Sequence, residues 1–336
     1  MFKNTRRLAL PLAAAVGASI LTGLSAQAQM KTLIVAEPVH GTGYLPLYVA
    51  IKNGYFTAEG LDVKILTIES GAGHTNAVLT KQAFAFIGGP EHNAFAKIKG
   101  AELRAVVNVV DRGNIYYVAR KGMAPAPGQS MKDFFKGKSV AVSFFGGTPN
   151  SITRYYLKTW GLDDKKDVTL KEMSNGAILA AVKTGGAEIG VTTEPVLTRG
   201  VQQAIWDEPF LNVPKDLGPY AYSTLNIRLD SIQQEPATVA KFVKGVVAGL
   251  KATYAERDKA LAIAKQEFPT MSLEDLKATL DRSFADEMWS RNGMISQEAW
   301  TTGEKVVLEA GILKKPVAFD EIIDMQFVKV LHAMAK

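Results

Sequence analysis

Leu45-Pro46-Leu47-Tyr48-Val49-Ala50-Ile51-Lys52-Asn53-Gly54-Tyr55-Phe56-Thr57-Ala58-Glu59-Gly60-Leu61-Asp62-Val63 carries the fold signal. Leu45, Tyr48, Val49 and Lys52 fall along one helical stripe. Gly54 stops that helix, and the alternation that begins at Leu61 is that of a strand. The outline returns about a hundred residues later. Pro149 heads a second helix as Pro46 heads the first. Gly161-Leu162-Asp163 answers Gly60-Leu61-Asp62, and Asp167-Val168-Thr169-Leu170 answers Asp62-Val63-Lys64-Ile65. Any doubly wound sheet gives some echo of this kind, so duplication of the halves stays open. The pattern points to two α/β lobes, and two lobes make a cleft.

Working outward, strands at 31–36, 61–68, 83–87 and 103–110 alternate with helices at 45–53, 74–81 and 91–99. This order predicts a mostly parallel sheet covered on both faces. Pro125, Pro127 and Gly128 mark a surface loop. The pattern then restarts with strands at 139–144, 168–173 and 187–191. Thr148 reads as the N-cap of the helix that follows the first of these, with Pro149 at the first helical position. From Pro236 a helical tail begins, and Phe242, Val243, Val246, Val247 and Leu250 supply its apolar face. Ser272 with Asp275 reads as a capping box. A lobe completed by a distant C-terminal segment requires chain crossings, and 115–120 and 223–228 are the candidate crossing strands, hence the hinge.

The first residues read as an export signal over 1–28. Lys3, Arg6 and Arg7 form a basic start, residues 8–24 are apolar, and Ala26-Gln27-Ala28 is a cleavage site. Removing those three bases from the 39 Lys and Arg leaves 36 against 33 Asp and Glu, a net charge of +3. That bias is too small, and its bases too scattered, for a nucleic-acid partner. The chain has no cysteine, which excludes a disulfide framework, a thiolate metal site, a cysteine nucleophile and lipidation at the leader. A periplasmic monomer fits these observations. The 336 residues less the leader leave 308, enough for two domains. The expected division is 29–117 for the first lobe, 118–224 for the second, and 225–336 for completion of the first lobe with C-terminal helices.

The motifs Pro46-Leu47-Tyr48-Val49-Ala50, Gly54-Tyr55-Phe56 and Glu59-Gly60-Leu61-Asp62-Val63 resemble the opening of the periplasmic substrate-binding proteins of ABC importers. The subgroup is the one named for nitrate, taurine, aliphatic sulfonates and the thiamine-pyrimidine precursor. Gly137-Lys138-Ser139-Val140-Ala141-Val142 is similar to that subgroup's entry into the second lobe, although Phe135-Lys136 stand where Leu-Lys is usual. The resemblance implies a type II periplasmic binding protein fold whose lobes close over a small molecule and present it to an inner-membrane permease. It implies no catalysis and no cofactor.

Ligands of open α/β sheets sit beyond the carboxyl ends of the strands, where helix N-termini offer free N–H groups. The loops so placed nominate His40, Thr42 and Tyr44; Gly73, His74 and Thr75; and Glu91 and His92. From the second lobe they nominate Phe145, Gly147, Thr148, Asn150, Ser151, Asn175, Thr193 and Glu194. Arg112, before the first crossing strand, could meet a carboxylate bidentately. Each has a plainer alternative as a cap, a turn residue or a packed core group. Glycine-rich helix starts beside aromatic residues suit an organic carboxylate or sulfonate with a flat body, and a small inorganic anion is the alternative. The four histidines show no paired metal-ligand spacing, and no hydrolase or nucleotide-binding motif occurs. Two other functions remain open: a binding protein that serves a sensor or other membrane partner, and a pyrimidine-synthase-like enzyme on the same fold.

Overall fold

A computed structural model describes Met1 and residues 30–334. The expected signal peptide lies outside the described residues. Two five-stranded sheets organise the chain. The first holds β1 (Lys31–Glu37), β2 (Leu61–Thr67), β3 (Ala85–Gly88) and β4 (Leu103–Arg112). The second holds β5 (Tyr116–Ala119), β6 (Ser139–Val142), β7 (Thr169–Glu172), β8 (Ile189–Thr192) and the short β9 (Leu211–Asn212). The chain then returns to the first sheet as β10 (Pro219–Arg228).

The strand orders are β2-β1-β3-β10-β4 and β7-β6-β8-β5-β9. They are the same order with β1 exchanged for β6, β2 for β7, β3 for β8, β4 for β9 and β10 for β5. In each sheet four strands run the same way and one runs against them, β10 in the first and β5 in the second. The sheets are therefore mixed, and the antiparallel member of each arrives directly from the other lobe. These are the two crossing strands of the hinge. The chain changes sheets between Arg112 and Tyr116, and again between Asn212 and Pro219, ahead of the boundaries expected from sequence. A turn of helix at Val213–Leu217, headed by Asn212, makes the second passage, and too few residues carry its pattern for periodicity to show it.

The opening stretch is scaffold. Residues 45–50 are all buried. The helix Leu45–Lys52 packs on Pro236–Ala255, whose face of Val239, Phe242, Val243, Val246, Val247 and Leu250 is buried as its periodicity requires. The approach is close: a Cβ on Gly249 would stand 2.2 Å from the Pro46 carbonyl oxygen. Phe56 stacks on Phe242 at 5.5 Å between ring centroids. Gly54 and Gly60 take the positive φ values, 73° and 77°, that their turns demand.

Two caps differ from expectation. Ser272 accepts a hydrogen bond from the Asp275 N–H, so it caps its helix without the reciprocal half of a box. In the other, Gly147 is the N-cap and Thr148 the first helical residue, because the Thr148 hydroxyl is turned away from its own helix and across the cleft.

Candidate functional site

The carboxyl ends of β1, β2, β3, β6, β7 and β8 converge on a cleft of about 710 Å³ between the lobes. The first lobe contributes Val39 after β1, Ser70, Gly71 and His74 after β2, and Gly88 and His92 after β3. The second contributes Ser143, Phe144 and Gly147–Pro149 after β6, Met173–Asn175 after β7, and Thr193 after β8. Tyr44 and the crossing-strand residues Tyr222 and Ser223 close the hinge side. A smaller chamber of about 240 Å³ adjoins it there, sharing Val39, Tyr44, Thr193 and Tyr222 and adding Asn114 and Glu194.

The lobes touch. Thr148 Oγ1 donates to Glu91 Oε1 over 2.5 Å, both groups buried. Beside it, a Cβ on Gly71 would lie 1.9 Å from the Phe145 carbonyl oxygen of the opposite lobe, so only glycine permits that approach. Toward the hinge, Arg282 of the helix Leu273–Ala285 binds Glu194 through Nε at 3.0 Å and Glu208 through its terminal nitrogens at 2.7 and 3.2 Å. Tyr116 and Asn212 of the second sheet donate to Asp286, which follows that helix.

Burial sets the charge of the cleft. It holds the His74 imidazole well below the usual histidine range, with His92 adding to the effect, and it lowers His92 to about 4. Both rings are uncharged at neutral pH. Burial also raises Glu91 to about 7, against the hydrogen bond from Thr148. Glu194 is raised by burial too, with its oxygens taken by the Thr198 N–H and hydroxyl and by Arg282. No lysine or arginine lines either chamber among the described residues. The anion expected from the sequence would meet helix N-termini there but no side-chain cation.

Of the nominated residues, Tyr44, His74, His92, Gly147, Thr148, Asn175 and Thr193 line the main chamber, and Glu194 lines the smaller one. Asn175 and Thr193 brace one another, Nδ2 donating to Thr193 Oγ1 over 3.1 Å. Glu91 stands behind Thr148. Asn150 and Ser151 turn inward: Asn150 Nδ2 donates to the Ser143 carbonyl and to Glu172, and Ser151 Oγ to the Gly147 carbonyl. Gly73 opens its helix against Ile68, while Thr42 and Thr75 are buried beside the cleft without lining it.

Three candidates are directed elsewhere. His40 is clasped by Glu37 at 2.9 Å and Tyr48 at 3.1 Å, and lies between the rings of Tyr48 and Phe268, because buried Glu37 demands a donor. Arg112 pairs with Glu287 at 3.0 Å on the outer side of the hinge. Phe145 is exposed at the rim beneath the Arg154 guanidinium. The sequence reading passed over Ser143, Met173, Tyr222 and Ser223. Ser143 and Met173 directly follow strands and could have been nominated by the rule that selected their neighbours. Tyr222 and Ser223 sit within a crossing strand, where no loop signal exists.

With this geometry in view, the chain was compared with known proteins. The sequence model of the NMT1/THI5 like family matches residues 42–260. The putative binding protein YtlA of Bacillus subtilis is 23% identical over 319 residues, covering 92% of this chain and 93% of that protein. The riboflavin-binding protein RibY of Chloroflexus aurantiacus is 25% identical over 300 residues, covering 85% and 82%. Among solved structures, the alkanesulfonate-binding protein SsuA of Xanthomonas axonopodis pv. citri, bound to MOPS, superposes with a TM-score of 0.72. It is 14% identical, with 89% of this chain and 98% of that one covered, a likeness of fold alone.

Proposed function

The chain belongs to the NMT1/THI5-like family, and from that premise we propose that it is an extracytoplasmic solute receptor that captures a small organic molecule between its lobes and hands it to an ABC permease. One observation carries this reading: the strand ends of both sheets meet around a single interlobe cleft, whose far side is drawn together by the Thr148–Glu91 bond and the Gly71–Phe145 approach. A cleft built half from each lobe couples occupancy to lobe closure. Tyr44, Phe144 and Tyr222 give it flat apolar walls suited to a planar body. The binding-protein names of YtlA and RibY support the same reading.

Binding without chemistry is the accompanying inference. Ser143 is a hydroxyl in the cleft, yet its Oγ has no hydrogen-bond partner, so no base among the described residues activates it as a nucleophile. Export to the periplasm and action as a monomer complete the proposal. The test is calorimetry with mass spectrometry of any ligand that co-purifies, alongside small-angle scattering. A bound small molecule and a smaller radius of gyration on saturation are expected. A chain that binds nothing from a broad solute library and never compacts refutes the receptor reading.

A further inference from the structure

The cleft contains polar groups from both lobes that the protein leaves unanswered. Both ring nitrogens of His74 are buried and lack a partner, and so does the Ser143 hydroxyl. His74 is 1% exposed and its ring sits edge-on to Phe86 and His92, with centroids 5.1 and 4.7 Å away. Its Nε2 lies 2.9 Å from where a Cβ of Gly88 would be, so the glycine makes room for the ring. Buried polar groups without partners are costly, and a native site keeps them where something else completes them. Here the completing molecule has to present a polar edge that meets one ring nitrogen of His74 in the first lobe and the Ser143 hydroxyl in the second, since the two ring nitrogens point away from one another.

The surrounding charges narrow that molecule further. The arginines nearest in the fold are occupied: Arg154 by Asp164, Glu172 and Asn150, Arg112 by Glu287, and Arg282 by Glu194 and Glu208. The carboxyl groups toward the cleft are Glu69, exposed at the rim, and Glu91, buried behind Thr148. A full negative charge would enter an apolar space with no counter-ion and two carboxyl groups nearby, which is strongly disfavoured. A full positive charge would find Glu194 already neutralised by Arg282 and Glu91 set behind Thr148, bonded to it through Oε1 with only Oε2 left without a partner. The helix starts at Thr148 and Asn175 offer partial positive charge only, suited to a carbonyl oxygen.

We propose that His74 is the specificity-determining residue of the cleft, and that with Ser143 it selects a net-neutral planar molecule bearing a donor and an acceptor on one edge, against carboxylates, sulfonates and inorganic anions. The proposal rests on the receptor reading. Its test is calorimetry on the mature chain with charge-matched pairs: nicotinamide against nicotinate, and benzenesulfonamide against benzenesulfonate. Uracil, riboflavin, nitrate and benzylamine complete the panel. The neutral member of each pair is expected to bind at least tenfold more tightly. His74→Gln, still neutral and hydrogen-bonding, retains that order. His74→Lys reverses it, and Ser143→Lys, at a half-buried position that folds more readily, moves it the same way. Wild-type preference for an anion or for benzylamine overturns the charge selection and leaves the receptor standing. Absence of saturable binding across the whole panel overturns the charge selection, whereas the receptor reading falls only if the broad solute library also fails to bind.

Discussion

The turn after β2 and the turn after β6 face one another across the cleft, yet they handle their polar groups in opposite ways. In the first lobe His74 and Thr75 are buried with side-chain atoms that have no partner. In the second, Asn150 bonds Ser143, Glu172 and Arg154, and Ser151 bonds Gly147, so the turn is rigid before any ligand arrives. Only Thr148 reaches outward, and it reaches the other lobe. One cradle leaves a histidine incomplete to read a ligand, while the other satisfies its own polar groups apart from the Ser143 hydroxyl and serves closure. The sheet topology therefore fixes where the cradles lie, and the local hydrogen bonds decide what each does.

The largest expected effect removes the frame that holds the cradles opposite one another. Arg282→Ala strands Glu194, which is 1% exposed, and is expected to cost about 3 kcal/mol in urea denaturation. Arg282→Lys restores only part of this, because one ammonium cannot serve Glu194 and Glu208 together. Next is a contrast of glycines. Gly71→Val drives a side chain into the Phe145 carbonyl and should weaken ligand binding about a hundredfold, on the scale of overpacking costs of about 1–3 kcal/mol, and should abolish compaction in scattering. Gly176→Ala, with nothing within 4 Å of its Cβ, should leave affinity unchanged and raise stability by about 0.5 kcal/mol. Equal losses at both positions would show that the close approach of Gly71 to Phe145 does not hold the cradles together.

The acid between the lobes gives a smaller, pH-resolved effect. Glu91 is raised from 4.5 to about 7 in the folded chain, so its contribution is fully present below about pH 4.5 and lost as pH rises through 7. Relative to Glu91→Gln, the wild type is expected to lose about 1 kcal/mol per pH unit across that window. His92 has the opposite sense. Lowered to about 4, it supplies stability above pH 6.5 that is lost as pH falls toward 4. Parallel melts of Glu91→Gln and His92→Gln separate the slopes. The smallest effect concerns His40, raised by its hydrogen bond to Glu37. His40→Gln should cost about 0.5 kcal/mol at pH 6, less at pH 8, and nothing in ligand affinity. A large affinity loss there would return His40 to the cleft.

Much of the fold was legible because it rests on periodicity and turn chemistry. The apolar face of 236–255, the Gly54 stop and the βα alternation are local signals. The exchange of β5 and β10 was legible only as a need for crossings, since partner choice depends on residues 70 or more positions apart. The site was legible to the level of loops. Within a loop, orientation is settled by partners far away in sequence, so neighbours diverge: His74 faces the cleft while Thr75 does not, and Thr148 crosses the cleft while Ser151 turns back to its own helix. His40 and Arg112 went elsewhere because Glu37 and Glu287 claimed them.

The strand exchange also orders the birth of the molecule. Everything the second sheet needs lies between Tyr116 and Asn212, but the first sheet waits for Pro219–Arg228 and for the covering helix Pro236–Ala255. A chain emerging amino end first thus completes its second lobe while the earlier-made strands of the first lobe still lack β10, the strand that joins β3 to β4. Assembly is nested, with the inner lobe finished first, and the hinge forms at the moment the outer lobe closes around it.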